Sequence, residues 1–141
     1  APSLTGKLAR VLAGLGVEKA LVVHGSGLDD VSVSGTTVVS ELHEDGSVTD
    51  WSFEPEELGL SRHDLAELQG TDAAGNAEAL RQILAGRPGA QRDIVVLSAA
   101  AGLYTGGAVS SLAAGVQLAT ELIDSGAAEQ RLAEWLEFSR R

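Results

Sequence analysis

The chain is 141 residues long and 44% apolar, which suits a single domain with a real core. It contains no cysteine, so disulfides and thiolate metal sites are excluded, and any metal must be held by oxygen or imidazole, the donors of hard cations such as magnesium. A formal net charge of -10 argues against nucleic-acid and anionic-membrane partners, while a phosphorylated substrate neutralised by a metal stays compatible.

Ser3 precedes apolar positions at Leu4, Leu8, Val11, Leu12 and Leu15, with Gly14 and Gly16 as stops, which predicts a short amphipathic helix. Ala20 to Val23 is brief and β-branched and reads as a buried strand ending in His24-Gly25. Helix, short loop and buried strand together predict α/β architecture with a parallel sheet. Thr36 to Leu42 and Ser47 to Phe53 flank Asp45-Gly46, a dipeptide suited to the positive backbone angles of a tight turn, and read as an antiparallel hairpin. Period two places Thr49, Trp51 and Phe53 on its packed face, with Asp50 and Ser52 outside.

No further strand is predicted beyond Pro55. Asp64 to Leu68 reads as a helical turn, and Thr71 or Asp72 caps a helix through Leu84 whose buried stripe is Ala77, Leu80, Ile83 and Leu84. Asp93 leads into a helix from Ile94 to about Tyr104, apolar on nearly every side except Ser98, as expected of a helix buried in the middle of a fold. Ser110 or Ser111 opens the next helix, with Leu112, Val116, Ala119, Leu122 and Ile123 along one stripe and Ser125-Gly126 ending it. Ala127 to about Phe138 closes the chain with Leu132, Trp135 and Leu136 facing inward, leaving Arg140 and Arg141 as helix-end charges. One strand among so many apolar helices is an incomplete set, so further parallel strands are expected in a longer chain.

No apolar run approaches the ~20 residues needed to span a bilayer, and the first residues lack the layout of a signal peptide. A soluble, cytoplasmic protein is expected. The chain lacks methionine and begins Ala-Pro-Ser, which predicts either a removed initiator or a segment of a longer protein.

The segment with the most chemical promise is His24-Gly25-Ser26-Gly27-Leu28-Asp29-Asp30, a glycine-rich turn directly after a strand, where α/β folds place their ligands. Two adjacent carboxylates in a turn can approach one side together, and magnesium uses such carboxylates with waters and substrate phosphates. By spacing alone, such a pair is more often a helix cap or a solvated corner, and His24 after a strand more often makes a structural hydrogen bond than acts as acid or base. The other glycines form no phosphate cradle: Gly25 and Gly27 fall short of the dinucleotide fingerprint, and Gly102, Gly106 and Gly107 follow a helix instead of opening one. Ser98 and Ser110 have no histidine and acid set nearby in sequence, and Tyr104 reads as packing.

The run Ala20-Leu21-Val22-Val23-His24-Gly25, followed by Gly27-Leu28-Asp29-Asp30-Val31-Ser32, resembles the segment Val-Val-His-Gly-x-Asp-Gly-Leu-Asp-Glu of anthranilate phosphoribosyltransferases. The resemblance continues through Thr37-x-Val39-x-Glu41-Leu42, Phe53-x-Pro55, Gly59-Leu60, Leu68-x-Gly70-x-Asp72-x-x-x-Asn76-Ala77, Arg92 to Ala100 and Ser125 to Gln130. It implies a partial phosphoribosyltransferase/nucleoside phosphorylase-like α/β domain with one buried strand, a β-hairpin and several packed helices. Residues 1 to 141 would form the carboxy-terminal part of that domain, without the family's helical amino-terminal domain, its glycine-rich phosphate loop and its anthranilate-associated arginine.

The resemblance further implies transfer of a phosphoribosyl group from phosphoribosyl pyrophosphate to anthranilate in tryptophan synthesis, with Asp29 and Asp30 as Mg2+ ligands and no turnover by this segment alone. Ser26 stands where the family usually has aspartate, Asp30 where it has glutamate, and Ser98 where it commonly has asparagine. The shorter reach of Asp30, by roughly 1.5 Å, can exchange direct metal contact for a water bridge. A related transferase or nucleoside phosphorylase with another acceptor, and a noncatalytic interaction module, are the alternative functions. Exposed sheet edges leave a homodimer open.

Overall fold

The computed structural model describes residues 1–140. Arg141, read above as a helix-end charge, lies outside the described residues, and Arg140 caps the last helix. Along the chain come α1 (Thr5–Gly14), β1 (Ala20–Gly25), β2 (Thr37–Leu42), β3 (Val48–Phe53), α2 (Ala73–Leu84), α3 (Ala90–Thr105), α4 (Leu112–Asp124) and α5 (Ala127–Ser139), with short 3-10 turns at Pro2–Leu4, Pro55–Leu58 and Leu65–Leu68.

The strands form one antiparallel sheet in the order β1-β2-β3. The predicted hairpin is present. Its turn places Gly46 at φ +81°, and Asp45 accepts hydrogen bonds from the amide and hydroxyl of Ser47 at 2.9 and 2.6 Å. The predicted parallel sheet is not: β1 runs antiparallel to β2, with Val23 opposite Val39 and Ala20 opposite Leu42. Nor is β1 the buried strand, since its residues are half-buried up to Gly25 and its other edge pairs with no strand among the described residues. The buried strand is β2, flanked on both sides, with Thr37 and Val39 to Leu42 all sequestered.

Alternation along the strands divides the sheet into two faces. One carries Leu21, Val23, Val39, Trp51 and Phe53 and joins the core with Val96, Leu97 and Ala100 of α3, Ile83 and Leu84 of α2, and Leu112, Val116, Ala119 and Ile123 of α4. Thr49 shares the strand parity of Trp51 yet is exposed, because it lies near the turn where no helix covers the sheet. The opposite face receives α1 through its small residues Thr5 and Ala9. There the Ser40 hydroxyl lies 2.8 Å from Thr5 Oγ1 and 2.5 Å from Asp50 Oδ1, so the buried polar atoms satisfy one another.

The helices form close to where predicted, but they differ in which faces are covered; in α4, Leu122 of the expected stripe is exposed. The leucine stripe points outward, with Leu8 and Val11 of α1 and the flanking Leu4 and Leu15 exposed, because the small Thr5 and Ala9 face makes the close approach to the sheet. In α2, Ile83 and Leu84 are buried while Ala77 and Leu80 are exposed. In α5, Leu132 packs on the core but Trp135 and Leu136 face solvent.

Helix α3 begins at Ala90, earlier than the Ile94 expected, and is only partly enclosed: Val96, Leu97 and Ala100 are buried, whereas Ala99 and Gly102 open onto an apolar groove between α3 and α4. Helices α3 and α4 cross closely at Gly115, where a Cβ atom would lie 2.8 Å from the Ala100 carbonyl oxygen. Asp72 caps α2 by accepting from the Gly75 amide at 2.8 Å, and Ser111 caps α4 by accepting from the Ala114 amide at 3.1 Å. No helix among the described residues is long and apolar enough to cross a membrane.

Candidate functional site

The glycine turn leaves the end of β1 and folds back on itself. The Gly25 amide donates to the Asp30 carbonyl at 2.8 Å, and the Leu28 amide donates to the Gly25 carbonyl at 2.8 Å. Gly27 takes a left-handed conformation at φ +84°, which side chains resist. At Gly25 a Cβ atom would lie 2.5 Å from the Ser32 Cβ and 2.7 Å from the Asp30 carbonyl oxygen, so only glycine admits the returning chain. The outcome is a compact turn that carries Asp29 and Asp30 on its exposed side.

The two carboxylates are not equivalent. Asp30 Oδ1 accepts from the Val31 amide at 2.7 Å, which fixes that side chain against its own backbone and leaves one carboxylate oxygen available. Asp29 makes no such contact among the described residues and, with His24, lines a groove of about 380 Å3 that runs along Leu21, Val22 and Val23 beside Leu4 and, in α1, Leu8. His24 makes no side-chain hydrogen bond among the described residues, so the structural donor role expected for it is not seen. It lines the same groove as Asp29.

As a metal site the turn would supply two of the six ligands of an octahedral cation. No group of three or more histidine, cysteine, aspartate or glutamate residues able to hold a metal occurs among the described residues. Two oxygen donors, one of them backbone-tethered, suit a cation that keeps its remaining ligands as water or substrate phosphate, which is how magnesium behaves. They do not suit zinc or calcium, which draw more of their ligands from the protein.

Ser26 ties the turn to the loop that leads into β2. Its amide and its hydroxyl both donate to the Thr36 carbonyl, at 3.2 and 3.1 Å. Around Thr36 lies a cluster that sequence reading missed. The Thr36 hydroxyl donates to Glu54, and Arg62 binds Glu54 and Glu56 at 2.7 Å each while reaching the Ser34 carbonyl at 3.5 Å. Hydrogen bonds from Thr36 and then Arg62 hold the Glu54 carboxyl below the usual glutamate range, and Arg62 does the same for Glu56. These residues sit in irregular loops with no periodicity. Only the mixed charges of Glu54, Glu56 and Arg62 could have signalled them.

Tyr104, read as packing, instead donates to the buried Glu41 at 2.7 Å, and Trp51 Nε1 donates to the other Glu41 oxygen at 3.0 Å. The adjacent carboxylate, and then burial, push the Tyr104 phenol above its ordinary pKa. Ser98 and Ser110 make no side-chain hydrogen bond to a histidine among the described residues.

A glycine-rich acidic turn at a strand end, in a sheet packed on helices, is a layout with which an α/β domain can hold a ligand. Residues 1–129 match the family model described as the a/b domain of the glycosyl transferase family, and the chain belongs to that family. It is 48% identical over 139 residues to the anthranilate phosphoribosyltransferase of Thermoanaerobacter sp. (strain X514), covering 98% of this chain and 41% of the relative. It is 51% identical over 126 residues to that of Rhodopseudomonas palustris (strain TIE-1), covering 89% and 37% respectively. The crystal structure of anthranilate phosphoribosyltransferase from Thermus thermophilus superposes with a TM-score of 0.90 at 37% identity, over 100% of this chain and 41% of that one. A variant of the Saccharomyces cerevisiae enzyme, solved with Mg bound, matches in fold with a TM-score of 0.86 at 24% identity over 97% of this chain and 40% of that one. The chain thus spans about 41% of the length of its Thermoanaerobacter relative.

Proposed function

We propose that this chain is the carboxy-terminal part of an anthranilate phosphoribosyltransferase, with Asp29 and Asp30 as its Mg2+ ligands. The observation that carries the reading is the 48% identity over 139 residues, which is long enough to take in the acidic turn, the hairpin and the helices together.

In the transfer, the bond between the ribose anomeric carbon and pyrophosphate breaks, and its electron pair leaves with pyrophosphate. The anthranilate nitrogen supplies the pair for the new carbon–nitrogen bond and loses a proton to solvent or base. Magnesium, when bound, neutralises the departing negative charge. The work of this chain is to present two oxygen donors at a fixed height above the end of β1. Gly25 and Gly27 permit the turn, the Val31 amide aims Asp30, and the unengaged Asp29 supplies the freer ligand. Contacts to the ribose phosphate and to anthranilate would come from the part of the protein that precedes this segment. The 141 residues alone are therefore expected to show no turnover.

The test is made in the full-length protein. Asp29→Asn should raise the magnesium concentration needed for half-maximal rate by about tenfold or more, the loss of one charged ligand. A rate curve against magnesium identical to that of the unmodified protein would remove Asp29 from the site. Absence of transfer to anthranilate by the unmodified protein would overturn the assignment.

A further inference from the structure

We propose that Arg62 is a positioning residue for the acidic turn, acting through Glu54, Thr36 and Ser26; this rests on the reading of Asp29 and Asp30 as metal ligands. Among the described residues, beyond the β1–β2 ladder and its own internal bonds, the turn is hydrogen-bonded to the rest of the chain through Ser26. Both of those bonds end on one atom, the carbonyl oxygen of Thr36. The contact is tight: a Cβ at Gly35 would lie 2.8 Å from Ser26 Oγ and 3.5 Å from Arg62 Nη1. The place of the turn therefore follows the place of the peptide between Gly35 and Thr36.

That peptide lies in a loop whose outer side is held by Arg62. Three parts of the guanidinium reach three different partners: Nη2 meets Glu54 at 2.7 Å, Nε meets Glu56 at 2.7 Å, and Nη1 reaches the Ser34 carbonyl at 3.5 Å. Glu54 in turn receives the Thr36 hydroxyl. An isolated exposed ion pair contributes little, but a planar fork that satisfies two carboxylates and a carbonyl fixes direction as well as distance. Through it the exit of β3 is stitched to the loop that carries Ser26.

Serine at position 26 suits this arrangement, because its hydroxyl can donate to the Thr36 carbonyl whereas an ionised carboxylate would face that oxygen as a second acceptor. The residue that departs from the family's usual aspartate thus gains a tether. We read Ser26 as anchoring the acidic pair, with Arg62 at the far end of the anchor.

The experiment uses the 141-residue chain labelled with 15N, with Mn2+ as the metal probe and variants Arg62→Ala, Arg62→Lys, Glu54→Gln and Asp29→Asn. In the metal-free chain, Arg62→Ala and Glu54→Gln should speed hydrogen exchange of the Ser26 amide by about threefold to tenfold, the effect of losing one hydrogen-bonded tether. The Val39 and Glu41 amides, paired within the sheet, should stay at their original rates. In the titration, paramagnetic broadening of the Asp29 and Asp30 amides should need about threefold to tenfold more Mn2+ in Arg62→Ala. Arg62→Lys should recover only part of the difference, since an ammonium cannot fork. Asp29→Asn should abolish most of the broadening.

Unchanged Ser26 exchange, or an unchanged Mn2+ midpoint in Arg62→Ala while Asp29→Asn still abolishes broadening, would overturn the positioning role and leave the metal reading standing. Broadening absent from the unmodified chain would overturn the metal reading, and the positioning role with it.

Discussion

Adjacent aspartates in this turn have different work, and the difference is measurable without any metal. Asp30 accepts the Val31 amide at 2.7 Å, whereas Asp29 makes no hydrogen bond among the described residues. Asp30→Ala should therefore cost about 0.5–1.5 kcal/mol in denaturant unfolding, the usual worth of one hydrogen bond. Asp29→Ala should stay within about 0.5 kcal/mol of the unmodified chain. Gly25→Ala is the severe change in the same turn, because the added methyl meets Ser32 and the Asp30 carbonyl at distances no relaxed contact permits. It should destabilise by about 1–3 kcal/mol, read as a lowered denaturant midpoint at constant slope. From the sequence the acidic pair could be found, but not this division of roles. Both residues are aspartate, and which one turns back on its own backbone depends on the closure of Gly25 onto Asp30.

Between elements, the contacts that decide geometry are close approaches and cross-links. Gly115 lets α4 sit against α3, and the atoms a methyl would strike belong to the Ala100 backbone, which cannot rotate away. Gly115→Ala should cost about 1–3 kcal/mol. The cross-link from Arg62 should answer to pH. Glu54 titrates below the ordinary glutamate range in the folded chain, so the stabilisation it provides is complete above the unfolded value of ~4.3 and is lost as pH falls through the depressed folded value. Protection of the Ser26 amide, corrected for intrinsic exchange, should hold from neutrality down to about that value and fall below it. Hairpin β2–β3 was legible because Asp45-Gly46 and the flanking alternation are local signals. The pairing of β1 was not, since a short apolar run reads alike as a central parallel strand or an antiparallel edge. The outward Leu80 and Trp135 show a second limit: periodicity marks which face of a helix is apolar without saying whether anything lies against it.

Across the whole molecule, apolar surface and charge oppose each other. Leu8 and Val11 of α1, with Leu4 and Leu15 at its ends, form an exposed stripe, with Leu15 75% exposed, on a chain of net charge -10. Self-repulsion holds such surfaces apart at low salt and fades once it is screened. Sedimentation of the 141-residue chain should show mass rising when salt is raised to about 0.5 M, where the Debye length is only a few ångströms, and Leu8→Glu should suppress that rise. The sheet has its own consequence for how the chain reaches this state. Because β1, β2 and β3 pair in the order in which they are synthesised, each of these pairings joins neighbours in the sequence. The hairpin can close first and β1 can dock onto it, with little loop entropy spent on either step. Folding of the sheet should therefore be fast and local, with assembly of α3 and α4 over it as the slower event.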